Sequence, residues 1–493
     1  MDENNRYYQS RHFLRLLHRY EKAVAEGHVP YLEADELTDI AEYYMTDKQD
    51  EKANQAIQAA IDMHPDATDP QIFLARQKMF YGQLDEAQAI VDAIIEQENN
   101  EVIYVRAELL IRQKQALEAS EYLLEEMELM QDSLETYLYD CTAIFMDYDQ
   151  WELAEIWAGR LRDICPAHPS LPLMEAEISM GLDDYETAET MLQELLDSDP
   201  YSTEAWNLLA ESYVALERYA DAREAADYAL AINPQERNAL LMKANACMHD
   251  NQLPQAIRYY AQCLEMQPDD LSVQMSLAIC YNNTEQYEKA VSLLTTAEQR
   301  IEKQPEDRQA DLPHLLLIRA FALGKLKKYD EALSTIDRAQ SLADGQEPWL
   351  YHIARGEIYL WLGKMPMAEK HFIHAMEKGL DRCEMLFNIA LIHSRAGYYE
   401  NAINMLNDVW AFYGTRDGRF VVPYLADCYL KHGDMENFLK HLRMAPSCNR
   451  ELTIQLFGDR YPGTAPEDYY AYAYRELHGH FPDPDTPDTE APS

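Results

Sequence analysis

The sequence predicts an all-α solenoid of about twelve helix-turn-helix repeats. Three observations predict it. Glycine is scarce, at 16 of 493 residues, and long Val/Ile/Thr alternations are absent, so the pattern and punctuation of strands are missing. The stretch 203–236, TEAWNLLAESYVALERYADAREAADYALAINPQE, carries two helical stripes. Trp206, Leu209, Ala210 and Tyr213 fall at i, i+3, i+4 and i+7, the apolar face of a first amphipathic helix. A polar turn at Glu217 and Arg218 follows, and Ala222, Ala226 and Ala229 then give a second helix a small-residue face. Such a face lets two helices approach closely, and Pro234 ends the unit by removing a backbone donor. Finally, the pattern recurs, with starts near 34, 68, 100, 135, 169, 203, 237, 271, 313, 349, 383 and 419.

Taken in order, residues 7–26 read as a capping helix with Phe13, Leu14, Leu17 and Tyr20 on one face, giving a cap over 1–33 that ends in a linker with Pro30. Repeats one to eight then occupy 34–304. The first is explicit in Leu37, Ala41 and Tyr44, then Ala53, Ile57, Ala60 and Pro65. The second is weaker, because Lys78 stands where the first has Tyr44. The interval between the eighth and ninth starts is long, and the extra residues fall at 300–312, which marks a joint. Repeats nine to twelve occupy 305–446. The twelfth departs from the pattern, with Phe438 at a small-residue position. Residues 447–480 read as a C-terminal cap. A helix spans about 448–457, and Thr464 to Glu467 has the form of a capping box before a tyrosine-rich helix ending at Leu477. The remainder, 481–493, is rich in Pro, Asp and Thr and predicts a disordered tail.

These residues resemble the tetratricopeptide repeat, whose pattern is Trp, Leu, small, Tyr, then Ala, a larger apolar residue, Ala and a closing Pro over 34 residues. The resemblance covers about 34–446 and is similar to arrays of this kind from bacteria. It implies a right-handed α-α superhelix in which the first helix of each repeat lines a concave groove that binds protein. Carried onto this sequence, the groove positions give Glu42, Glu108, Glu177, Glu211 and Asn245 on one line, with Arg76 among them. A second line holds Met45, Met79, Met146, Met180 and Met248, and Tyr104, Tyr139 and Asn207 stand beside it. Methionine suits surfaces that accept varied apolar side chains. It equally fills gaps between neighbouring helices, and both readings stay open for this line. The carboxylate clamp of some co-chaperone domains is not implied, because Thr38 with Glu42 and Asn207 with Glu211 stand where its cations would be.

The formal net charge is −45, from 42 basic and 87 acidic residues. Such a surface repels nucleic-acid phosphate and anionic lipid, attracts basic protein segments and keeps a long array soluble. The N-terminus lacks a secretory pattern, no run of about 18 apolar residues exists for a membrane span, and the eight cysteines show no CxxC pairing. The expectation is a cytoplasmic protein with reduced thiols, no cofactor, no metal and no catalytic constellation. HExxH is absent; His371 and His374 lie at i, i+3 without a third ligand; the glycines at 356 and 363 are misspaced for a phosphate loop. The function that follows is a non-enzymatic scaffold or adaptor whose groove takes a basic, partly apolar protein segment. A peptide-sensing regulator or an enzyme-associated subunit of the same architecture is the alternative. Oligomeric state is not specified by these residues. A chain truncated after Glu236 keeps whole repeats and stays helical, whereas one ending at Val214 exposes an unpaired apolar face and aggregates. Indistinguishable circular dichroism and sedimentation for the two would place the boundaries elsewhere.

Overall fold

The computed structural model describes residues 7–46, 49–127, 133–302, 311–343, 345, 348–378 and 381–482. Among the described residues there are α-helices and short 3-10 turns and no strand. The chain divides into two compact units, 1–250 and 251–493. The first holds the capping helix, six helix pairs and the first helix of the seventh pair, Arg237–His249. The second opens with the helix Leu253–Met266 and continues through five further pairs to the C-terminal helices. The joint expected at 300–312 and the tail expected from 481 fall mostly outside the described residues.

Repeat six shows why the pairs form. Its first helix, Thr203–Ala215, is capped by Ser202, whose hydroxyl accepts from the Ala205 amide. Its second helix, Tyr219–Ile232, packs against the first and against the next first helix, Arg237–His249. At the crossing stand Ala210 and Ala222, both fully buried. The same holds along the chain. Ala53, Ala87, Ala119, Ala154, Ala188, Ala222, Ala256, Ala290, Ala332, Ala368 and Ala402 open the small stripe of eleven second helices, and each is 0% exposed. A side chain at any of them would have to push two helices apart. Gly356 makes the same point from the first helix, since a Cβ there would lie 2.4 Å from the Phe372 ring.

The turns inside the second to twelfth pairs share a signature. Each reverses through one residue in the left-handed region: Gly82, Lys114, Asp149, Asp183, Glu217, Asn251, Glu285, Lys327, Gly363, Gly397 and Gly433. These recur at the intervals of the repeat starts. The amide of Glu217, for example, donates to the Val214 carbonyl and that of Arg218 to Tyr213, closing the helix end.

The caps differ in detail from the sequence reading. The N-terminal helix is Arg11–Ala25, and it buries Phe13, Leu16, Leu17, Tyr20 and Ala23. Leu14 is half exposed, because the buried stripe is centred one residue further round the helix. At the other end Arg450–Phe457 forms as expected. Thr464 does not cap the last helix. A 3-10 turn at Pro466–Asp468 intervenes, the helix is Tyr469–His478, and Glu467 instead accepts from Arg450 Nε at 2.8 Å. Phe438 stands in the twelfth second helix where the others have alanine. It is buried among Phe457, Tyr461 and Tyr469, so the cap fills the space the larger ring creates.

A non-glycine residue in the left-handed region costs about 1 kcal/mol or more, partly offset by the flexibility glycine adds to the unfolded chain. Glu217→Gly, at φ 58°, therefore raises stability by about 0.5–1 kcal/mol in chemical denaturation. A neutral or lower midpoint would show that the Glu217 side chain contributes something the backbone geometry does not.

Candidate functional site

The first helices Ala34–Thr46 and Thr68–Phe80 leave a cleft of about 790 Å³ between them. One wall carries Thr38, Glu42, Met45 and Thr46; the other carries Asp69, Ile72, Phe73, Arg76, Gln77 and Phe80. Glu101, from the next first helix, borders one side, and Tyr8 closes the end. The lining residues repeat at three- and four-residue spacing because they share the one stripe of each helix that faces neither its pair nor its neighbour. Apolar, polar and acidic groups share the cleft. Phe80 is 53% exposed, a large ring left in solvent at the edge.

The electrostatics of this cleft are set by crowding. Glu42 accepts from the Tyr8 hydroxyl at 3.2 Å, and burial still pushes its carboxyl above the usual range. Burial also raises Asp69, and the charges of Asp35 and Glu101 add to it. Arg76 is the cation in the lining. Its Nη2 lies 2.7 Å from Glu108 Oε1 and 3.3 Å from Glu101 Oε2. Its charge is thus already matched, and the uncompensated charge of the cleft is negative.

The remaining residues singled out by sequence divide between groove and core. Glu177 and Glu211 reach solvent, and among the described residues neither forms a hydrogen bond or ion pair. Burial nonetheless raises both carboxyls, since a concave wall is wet yet crowded by protein. Glu108 is different. It is 8% exposed and held by Arg76, with the Tyr148 hydroxyl at 3.4 Å, so its charge is spent inside the wall. Met79 and Met180 are buried among neighbouring helices. Met45 is half-buried in the cleft, while Met146 and Met248 are half-buried further along the chain. Tyr104 is buried and donates to Asp140 at 3.0 Å. Tyr139 stacks on His168 at 5.3 Å between ring centroids. Asn207 is 9% exposed and Asn245 half-buried.

Sequence reasoning missed Tyr8, Asp69, Phe73, Gln77, Phe80 and Glu101 as members of the cleft. Asp69, Phe80 and Glu101 had a signal, since they occupy the outermost turns of the first helices, where a groove is widest. Tyr8 had none, because only packing brings the capping segment onto the first repeat; its ring sits 5.6 Å from that of Tyr43.

In the second unit His352 and His371 bring their Nδ1 atoms to 3.1 Å, one imidazole donating to the other. His374 donates from Nδ1 to the Lys370 carbonyl. Among the described residues, no group of three His, Cys, Asp or Glu is arranged to hold a metal ion. Burial, with the charges of His352, Arg355 and His374, pushes His371 down to about 4. Burial also lowers His352 and the fully buried His393. An unfolded imidazole binds its proton near pH 6.5. The folded groups refuse it until lower pH, so their contribution is complete above about 6.5 and is lost as pH falls toward 4. Replacing His371 by Gln removes one such group. The wild type then loses about 1 kcal/mol more than His371→Gln between pH 7 and 5 in urea denaturation, after allowance for partial exposure. Parallel pH profiles would show that His371 titrates normally.

Three stretches match the sequence profile of the tetratricopeptide repeat: 173–237 in one form, and 45–109 and 248–311 in another. The human protein O-mannosyl-transferase TMTC3 is 21% identical over 170 residues, 33% of this chain. This chain spans about a fifth of that relative, 19% of its length. Among solved structures, a tetratricopeptide repeat protein from Parabacteroides merdae aligns with TM-score 0.42 and 14% identity, over 50% of this chain and 93% of its own. The human IFIT1 dimer with m7Gppp-AAAA aligns with TM-score 0.41 and 17% identity, over 81% and 95%. Among the described residues, no helix is long and apolar enough to cross a membrane.

Proposed function

Since this chain is a tetratricopeptide-repeat protein, we propose that it is a protein-interaction scaffold whose first-unit groove takes a basic, partly apolar segment of a partner. One observation carries the finer reading: the cleft of repeats one and two lines the same surface with Glu42 and Asp69, neither in an ion pair, and with the exposed ring of Phe80. Glu42 and Asp69 supply charge in a crowded wall, where a field is focused rather than screened. Met45, Phe73 and Phe80 supply contact area once a ligand has arrived. Glu177 and Glu211 extend the negative surface along the later repeats. The acidic balance of the whole chain, −45, favours the same class of partner and disfavours a phosphate backbone.

The test is binding of labelled cationic and anionic peptides to the full chain, followed by stopped-flow anisotropy. With Glu42→Gln and Asp69→Asn together, association of a cationic peptide slows several-fold and its salt dependence flattens, while dissociation changes little. With Phe80→Ala the reverse holds, and dissociation quickens about tenfold or less. Tighter binding of anionic peptides, or rates unmoved by all three substitutions, would remove the cleft from consideration.

A further inference from the structure

We propose that Lys325 and Arg395 form a seat for an acidic side chain, Asp or Glu, of a partner segment lying along the first helices of the second unit. The seat is separate from the first-unit cleft, carries the opposite charge and does not depend on that reading. Lys325, Trp361 and Arg395 close the first helices Leu312–Lys325, Pro348–Trp361 and Arg382–Arg395, which pack in succession. They hold one position in repeats nine, ten and eleven, the position of Thr46 and Phe80 in the first two repeats. Thr46 and Phe80 line the first-unit cleft, so this is the groove-facing stripe of the repeat. Glu357, one turn earlier, holds the position of Glu42.

A cation in the last turn of a helix is ordinary, because the helix dipole favours it there. Lys325 differs in how its ammonium is held. Nζ stands 4.5 Å from the centre of the Trp361 ring and 5.4 Å from that of Phe321. The two rings meet edge to face. Gly324 makes room for them, since a Cβ there would come within 2.4 Å of Trp361. Among the described residues the ammonium forms no hydrogen bond or ion pair, in a chain with 87 acidic residues. Glu357 is the carboxylate whose charge it feels most, and that carboxylate is 7% exposed and engaged by Arg395, Nη2 to Oε1 at 3.3 Å. Burial pushes Lys325 below the usual lysine range; the charges of Glu357 and Glu285 oppose the shift, and that of Arg395 adds to it. Two cations thus share one buried carboxylate, and positive charge is left over.

The occupant follows from these groups. The ammonium has three N–H donors, and the guanidinium has donors beyond the one spent on Glu357. A carboxylate accepts from both and neutralises the excess. A phosphate monoester, with nearly two charges, meets Glu357 beside it and leaves the site negative. Trp361 and Phe321 offer apolar surface to the neighbours of the acidic residue.

The experiment uses the full chain and apolar peptides with blocked ends, alike except for a central glutamate, glutamine or phosphoserine. The glutamate peptide binds about tenfold tighter than the glutamine peptide in fluorescence anisotropy. Lys325→Gln with Arg395→Gln removes that preference, and circular dichroism shows that the fold persists. Glu357→Gln keeps both cations and removes the competing carboxylate, so it tightens the glutamate peptide several-fold; this arm decides the matter if the double variant fails to fold. Equal affinity for glutamate and glutamine, a preference that survives the double variant, or no response to Glu357→Gln overturns the seat. Tighter binding of the phosphoserine peptide overturns it in favour of a phosphate site. Binding only after the C-terminus is unblocked overturns it in favour of chain-end capture, and failure of every peptide to bind overturns it outright. Association of cationic peptides governed by Glu42 and Asp69 is unmoved by these variants, so failure of the seat and failure of the first-unit cleft are read separately.

Discussion

Everything in this chain depends on how closely two helices can cross. The eleven buried alanines that open the second helices are contact points at which Cβ already touches the neighbouring helix. Their small size fixes the crossing distance, and the fixed distance passes to the next repeat, because each second helix also packs on the following first helix. The left-handed residue at each turn serves the same end. It reverses the chain in the fewest residues, so the two helices of a pair start in contact. Where the alanine becomes Phe438, the ring is buried between its own pair and the aromatic rings of the C-terminal cap.

The same constraint creates the groove. A first helix uses two stripes, one against its partner and one against its neighbours, and the third stripe is left over. Side chains on that stripe are free of packing duty, which is why Glu42, Glu177 and Glu211 can be charged and accessible there. The wall is also crowded, so the charges are less hydrated than on a convex surface. Their raised carboxyls record that cost.

Not every residue with the right spacing belongs to the groove. Glu108 shares its line with Glu42 and Glu177, yet it sits inside the wall because Arg76, one repeat earlier, reaches back to it. Met79 and Met180 share a line with Met45, yet they are core. Periodicity alone does not carry that information.

The sequence by itself determined the architecture: which residues form helices, where each pair turns, and which face of each helix is small. These follow from local spacing, since each repeat contacts only its neighbours and its pattern is written within 34 residues. It also determined the sign of the surface, because −45 is a property of composition. The tertiary structure decided which charges remain available. Pairing of Arg76 with Glu108 and the approach of Tyr8 to Glu42 each join residues from different segments. Such contacts depend on distances between side chains that no single repeat encodes.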